Sequence, residues 1–91
     1  MPTSDNALVG PPALGVSEVE LDGQVCLYSP AGEHVVVLND TASDVWRLAD
    51  GERTVGQIIT LLAGVYGCTP ADIGADVHAA VESFRAALLL P

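Results

Sequence analysis

The sequence predicts an α+β fold, a three-stranded antiparallel sheet followed by three helices in a winged-helix-like order. Three observations carry that expectation. Polar and apolar residues alternate through the first half of the chain and end in Val35-Val36-Val37; a cap cluster, Asn39-Asp40-Thr41, then opens a stretch of helical spacing; and Thr54 and Thr69 each open another. A chain of 91 residues forms one domain, able to bury only about three-fifths of its unfolded surface.

Residues 1–15 contain Gly10-Pro11-Pro12 and Gly15 and show no period, so a flexible N-terminal arm is expected there, with the folded domain over 16–91. Val16 to Leu21 alternates, Asp22-Gly23 is a hairpin signal, and Gln24 to Tyr28 alternates again, which makes two antiparallel strands. Ser29-Pro30-Ala31-Gly32 turns the chain into a third strand from Glu33 to Leu38, and Pro30 sits where its missing N–H is harmless. If Leu38 points toward the helices, Val36 joins it on the inner face with Val19, Leu21, Val25 and Leu27. The outer face then holds Glu18, Glu20, Gln24 and Glu33, but also Cys26, Tyr28, Val35 and Val37. It is more apolar than a solvated face requires, which makes it a candidate for a second protein contact.

Helix one is expected to start near Asp40 or Thr41, capped by Asn39 or Asp40, with Asp44 adding charge that the helix dipole favours. Ala42, Val45, Trp46 and Ala49 share one face, Leu38 packs on it as a staple, and Gly51 is the expected stop. Helix two is capped by Thr54, presents Val55, Ile58, Ile59, Leu62 and Tyr66 to the core, and ends at Gly67. Thr69-Pro70-Ala71-Asp72 opens helix three with a cap, a proline in the first turn and an acid beside the dipole's positive end. Its apolar stripe is Ile73, Val77, Val81, Phe84 and Leu88, widened by Ala80 and Ala87, and it is expected to run almost to Pro91.

Composition narrows the function classes. With 49% hydrophobic and 16% charged residues the chain is too apolar to be disordered, and no apolar run approaches the roughly 18 residues of a membrane span. Met1 to Asn6 resembles no export signal, so a cytoplasmic protein with reduced Cys26 and Cys68 is expected. Twelve acidic residues stand against three dispersed arginines, Arg47, Arg53 and Arg85, and no lysine, a net charge of −9. Nucleic acid is therefore a poor partner and a basic peptide a good one.

Two cysteines cannot supply a four-ligand metal site, and no metal or cofactor is expected. His34 and His78 have no nucleophile that the sequence places beside them, and no catalytic motif occurs, so no enzymatic activity is expected. Asp40/Asp44 and Asp72/Asp76 sit on helix starts, where the dipole accounts for them. The triplet Asn39-Asp40-Thr41 fits a glycosylation sequon but is better read as a cap. Acyl carrier proteins match in size and acidity, yet they carry an Asp-Ser-Leu motif, and no Asp-Ser pair occurs in this chain.

Binding remains, and the meander suggests how. The third strand pairs on one side only, leaving backbone groups from His34 to Leu38 open to an extended peptide, and no charge or proline in Val35-Val36-Val37 discourages pairing. Helix three, lying beside that edge, would supply Val77, Ala80, Val81 and Phe84 as a wall.

Leu38-Asn39, Ala42, Trp46, Asp50-Gly51, Thr54, Ile58 and Tyr66 resemble, in order and spacing, the PqqD-type domains that recognise leader peptides of ribosomally made, modified peptides. The resemblance covers about residues 16–90 and is strongest to the small B1 proteins of lasso peptide biosynthesis. It implies a non-catalytic domain that holds a precursor's leader along the third strand beside the third helix. It further implies delivery to a cysteine-protease leader peptidase and then to a cyclase. The positions implied here are Glu33, His34, Val35, Val36, Val37, Leu38, Asp76, Val77, Ala80, Val81 and Phe84, with Glu33, Asp76 and Glu82 set to meet basic leader residues. A winged-helix regulator is the second class, opposed by Asp72, Asp76 and Glu82 against Arg85 alone on helix three. A plain interaction module is the third.

Overall fold

Asp22 and Gly23 both take positive φ, 52° and 82°, the geometry of a two-residue hairpin turn that follows the twist of its strands. This turn joins β1 (Ser17–Leu21) to β2 (Gln24–Tyr28), and β3 (Val35–Val37) pairs with the other side of β2, giving a sheet of order β1-β2-β3. Three helices follow, α1 (Asp40–Arg47), α2 (Val55–Tyr66) and α3 (Pro70–Ala86). The computed structural model describes residues 5–28, 35–87 and 89–90; the expected turn at Ser29–Gly32 and the strand start at Glu33 and His34 lie outside them.

The two-residue turn corrects the faces expected of β1. Leu21 lies opposite Gln24, Glu20 opposite Val25, Val19 opposite Cys26 and Glu18 opposite Leu27. Opposed residues share a face, so Val25 and Leu27 share theirs with the two glutamates and with Val36. Val19 and Leu21 fall on the outer face instead, 41% and 56% exposed. β1 is exposed along its whole length, and Glu20 forms an ion pair with Arg47 of α1.

β2 holds the sheet to the helices. Val25 and Leu27 are fully buried in one core cluster with Leu38, Val45, Trp46, Ile58, Val77, Val81 and Phe84. Trp46 and Phe84 meet edge to face, with ring centroids 5.3 Å apart and planes at 78°. Ser43, fully buried on α1, links the two layers: its hydroxyl accepts from the Val25 N–H at 3.1 Å and donates to the Leu38 carbonyl at 3.3 Å. Leu38 N–H also reaches the Val25 carbonyl at 2.8 Å. The hydroxyl thus bridges the point where β2 and β3 part.

The helix caps follow the sequence. Asn39 Oδ1 accepts from Ala42 N–H at 2.8 Å, Thr54 and Gln57 form a capping box, and Gly67 ends α2 with φ of 68°. At the head of α3 the Asp72 carboxylate accepts from Thr69 N–H, and that bond holds its pKa below the ordinary value. Three expectations change. α1 ends at Arg47, capped by Leu48, before Gly51 is reached. Tyr66 is 41% exposed rather than core, because its hydroxyl donates to the Asp44 carboxylate at the surface. α3 stops at Ala86, and the Leu89 N–H turns back to the Phe84 carbonyl, so Leu89 and Leu90 are buried; Leu88 and Pro91 lie outside the described residues.

The segment expected to be a flexible arm packs as a strap over residues 5–15. Val9 is fully buried; its N–H donates to the Arg53 carbonyl and its carbonyl accepts from Gly51 N–H. Leu8 bridges to Thr54, Ala7 and Asp5 accept from the first amides of α2, and Ala13 N–H reaches the Leu89 carbonyl. A Cβ on Gly10 would lie 2.3 Å from the Ala49 carbonyl oxygen and one on Gly51 2.7 Å from Pro11. Gly and Pro therefore allow close approach here, and the packed unit begins well before Val16. Cys26 and Cys68 are both free. Among the described residues no helix is long and apolar enough to cross a membrane, and no group of three or more side chains could hold a metal.

Candidate functional site

β3 is an edge, and the ladder decides which of its backbone groups face outward. Leu38 directs its N–H to β2, and alternation along an antiparallel strand then turns Val36 inward and leaves the N–H and C=O of Val35 and Val37 directed to the open edge. The expected run of open groups from His34 to Leu38 thus reduces, among the described residues, to two alternate valines. That alternation suits an added strand, which bonds to every second residue.

A groove of about 370 Å³ lies between this edge and α3. Val36, Val37, Leu38 and Asn39 line the strand side, Thr41 and Ala42 one end of α1, and Asp76, Ala79, Ala80, Ser83 and Phe84 the helix. Positions 76, 79, 80 and 83 are spaced i, i+3, i+4, i+7 and form one face of α3. The adjacent face, Ile73, Val77, Val81 and Phe84, is core. Small side chains on the first face leave the space that the groove occupies, and Phe84, only 1% exposed, sits at its floor.

Of the expected site residues, the structure brings Val36, Val37, Leu38, Asp76, Ala80 and Phe84 together around the groove. Val35 is exposed on the edge strand without lining it. Val77 and Val81 are fully buried and face the core, so they are set aside as wall residues. Glu33 and His34 lie outside the described residues. Asn39, Thr41, Ala42, Ala79 and Ser83 line the groove without having been expected; the small-residue stripe beside the apolar one was the signal available for those on α3. No arginine lines it: Arg47 is engaged by Glu20 and Asp44, Arg53 by Asp50 at 2.6 Å, and Arg85 by the Leu8 carbonyl.

The fold has counterparts among known proteins. The profile of the family described as coenzyme PQQ synthesis protein D (PqqD) matches residues 24–90. The chain belongs to the PqqD family. Its elements align with those of a PqqD-family protein truncation from Methylobacterium extorquens PqqCD, a stand-alone recognition element for ribosomally synthesised, post-translationally modified peptides. That match has a TM-score of 0.73 and 28% identity and covers 96% of this chain and 97% of the other. TbiB1, solved in complex with the TbiA(β) leader peptide, matches in fold with a TM-score of 0.75 over 87% of this chain and 92% of its own, at 16% identity. The PqqA binding protein of Rhodopseudomonas palustris (strain HaA2) is 42% identical over 52 residues, which are 57% of this PqqD-family chain. The chain spans about half, 51%, of that relative's length.

Proposed function

We propose that this PqqD-family domain captures the leader of a ribosomally made precursor peptide as a fourth strand on β3, within the groove beside α3. The coincidence of the open edge with the groove carries this reading: backbone bonds at Val35 and Val37 supply affinity, and the groove selects side chains. The relatives support it in kind, since one is named for binding PqqA and another was solved with a leader peptide. The domain presents the bound leader to a separate cysteine-protease leader peptidase and onward to a cyclase, as in lasso peptide assembly. It acts in the cytoplasm and performs no chemistry itself. The outer sheet face, where Val19, Cys26 and Val37 lie abreast beside Tyr28 and Val35, is the surface offered to the peptidase.

The net charge of −9 favours a basic leader whose affinity falls as salt rises, and a Kd of roughly 10⁻⁸ to 10⁻⁶ M is expected. Titration of the domain with a synthetic leader from the adjacent precursor gene, followed by backbone amide NMR, tests the reading. Saturable shifts confined to 35–38 and 76–84 are expected. An absence of shifts at high micromolar leader returns the domain to the plain interaction class. Val19→Glu, which puts a charge on the outer face, should slow leader removal by the peptidase while leaving leader affinity intact; unchanged removal would discard the outer face.

A further inference from the structure

Asp76 is the only ionisable side chain among the described residues lining the groove, and it takes no part in the ion pairs formed among them. Among the described residues the arginines are held elsewhere, so none of them neutralises this carboxylate. One turn further along the same face, Ala79, Ala80 and Ser83 leave a hollow over Phe84. Resting on the proposal that a peptide strand adds to β3, we infer that Asp76 and this hollow together read a two-part pattern: a lysine or arginine, and a bulky apolar residue two positions away.

The spacing follows from two periodicities. From Asp76 to the middle of the hollow is four to five helical residues, a rise of about 6 to 7.5 Å. Two residues of an extended strand cover about 6.6 to 6.8 Å, and residues two apart point to the same side. A peptide passing along β3 therefore sets alternate side chains against α3 at nearly the interval separating the carboxylate from the hollow. The lysine or arginine stem packs along the groove wall while its charged head meets Asp76 at the exposed rim. The apolar residue fills space that small side chains leave empty. Charge selects one position and volume selects the other.

A randomised ten-residue displayed peptide library, panned against the whole domain and against an Asp76→Lys variant, tests this. Asp76 is exposed on α3 and its replacement is compatible with folding, which circular dichroism checks. The native domain should enrich Lys or Arg two positions from Leu, Ile, Met, Phe, Tyr or Trp. The variant should enrich Asp or Glu at the first position and keep the apolar residue at the second. For a single enriched peptide, replacing the basic residue by glutamine should weaken binding by about three- to five-fold, the size of an exposed ion pair. Enrichment without a charge preference, with another spacing, or unmoved by Asp76→Lys overturns the inference while leaving strand addition standing. Enriched peptides that do not shift the amides of Val35 and Val37, or no enrichment at all, overturn the strand-addition reading and the inference with it.

Discussion

β1 and β3 are the two edges of one sheet, and they offer an extended peptide different things. By the register of its hairpin, β1 directs the backbone groups of Glu18 and Glu20 outward, and both side chains are charged and exposed. β3 directs Val35 and Val37 outward, carries no charge, and opens onto a groove with a floor and a wall. Edge strands invite pairing wherever charge does not discourage it. The comparison teaches that an open ladder is common to both edges, whereas selection requires the helix beside one of them.

The largest effect expected comes from removing what the groove shares with the core. Phe84→Ala deletes the floor and the partner of Trp46, and should cost about 3–5 kcal/mol in denaturant unfolding. A folded Phe84→Ala domain with unchanged peptide affinity would remove that residue from the site. Next in size is Ser43→Ala, which leaves the buried Val25 N–H and Leu38 carbonyl without their shared partner and should cost about 1–3 kcal/mol. Hydrogen exchange should then speed at Val25 and Leu38 while the hairpin amide of Val19 is little changed; equal acceleration at both edges would show that Ser43 does not hold β3 in particular.

A pair of prolines tests the edges against each other. Val37→Pro and Glu18→Pro each remove one outward N–H at an edge position that tolerates proline. The first should weaken peptide binding by at least about ten-fold, some 1.4 kcal/mol, and the second should leave it within about two-fold. Equal losses would erase the distinction drawn between the strands.

The smallest effect separates the two sides by pH. On the β1 side, Glu20, Arg47, Asp44 and Tyr66 form a polar chain, and burial, followed by the hydrogen bond to Asp44, pushes the Tyr66 phenol up to about 12. The folded state thus holds this proton more tightly than the unfolded chain. The resulting stability is fully present below pH 10 and is lost as pH rises from 10 through about 12. Tyr66→Phe should flatten that alkaline loss in a melting series; an unaltered slope would assign it to other groups.

Much of the fold was legible because local chemistry dictated it. Asp22-Gly23, Asn39, Thr54, Gly67 and Thr69-Pro70 each satisfy a turn or cap with their own backbone and side chains, and the structure uses every one at those positions. The stripes expected on α2 and α3 are buried at Val55, Ile58, Ile59, Leu62, Ile73, Val77, Ala80, Val81 and Phe84, but not at Tyr66, and Leu88 lies outside the described residues. The face of β1 was misassigned because alternation states which residues share a side without stating which side. The two-residue turn settles that, and it was available in the sequence. Of the groove, the edge position of β3 follows from strand order, and Asp76, Ala80 and Phe84 on α3 are among the residues the sequence singles out. Val77 and Val81 belong to the neighbouring stripe, since an apolar residue on a helix reads alike whether it faces core or groove.

By itself the sequence determined where the three helices begin, where the hairpin turns, and that the chain is acidic. Tertiary structure decided what lies beside what: that α3 runs along β3 and leaves space between them, that Ser43 bridges the parting strands, and that the Pro- and Gly-rich segment straps the helices. Caps and turns act within four residues and are written locally. A groove is the volume that two distant segments fail to fill, and it exists only once packing sets their separation.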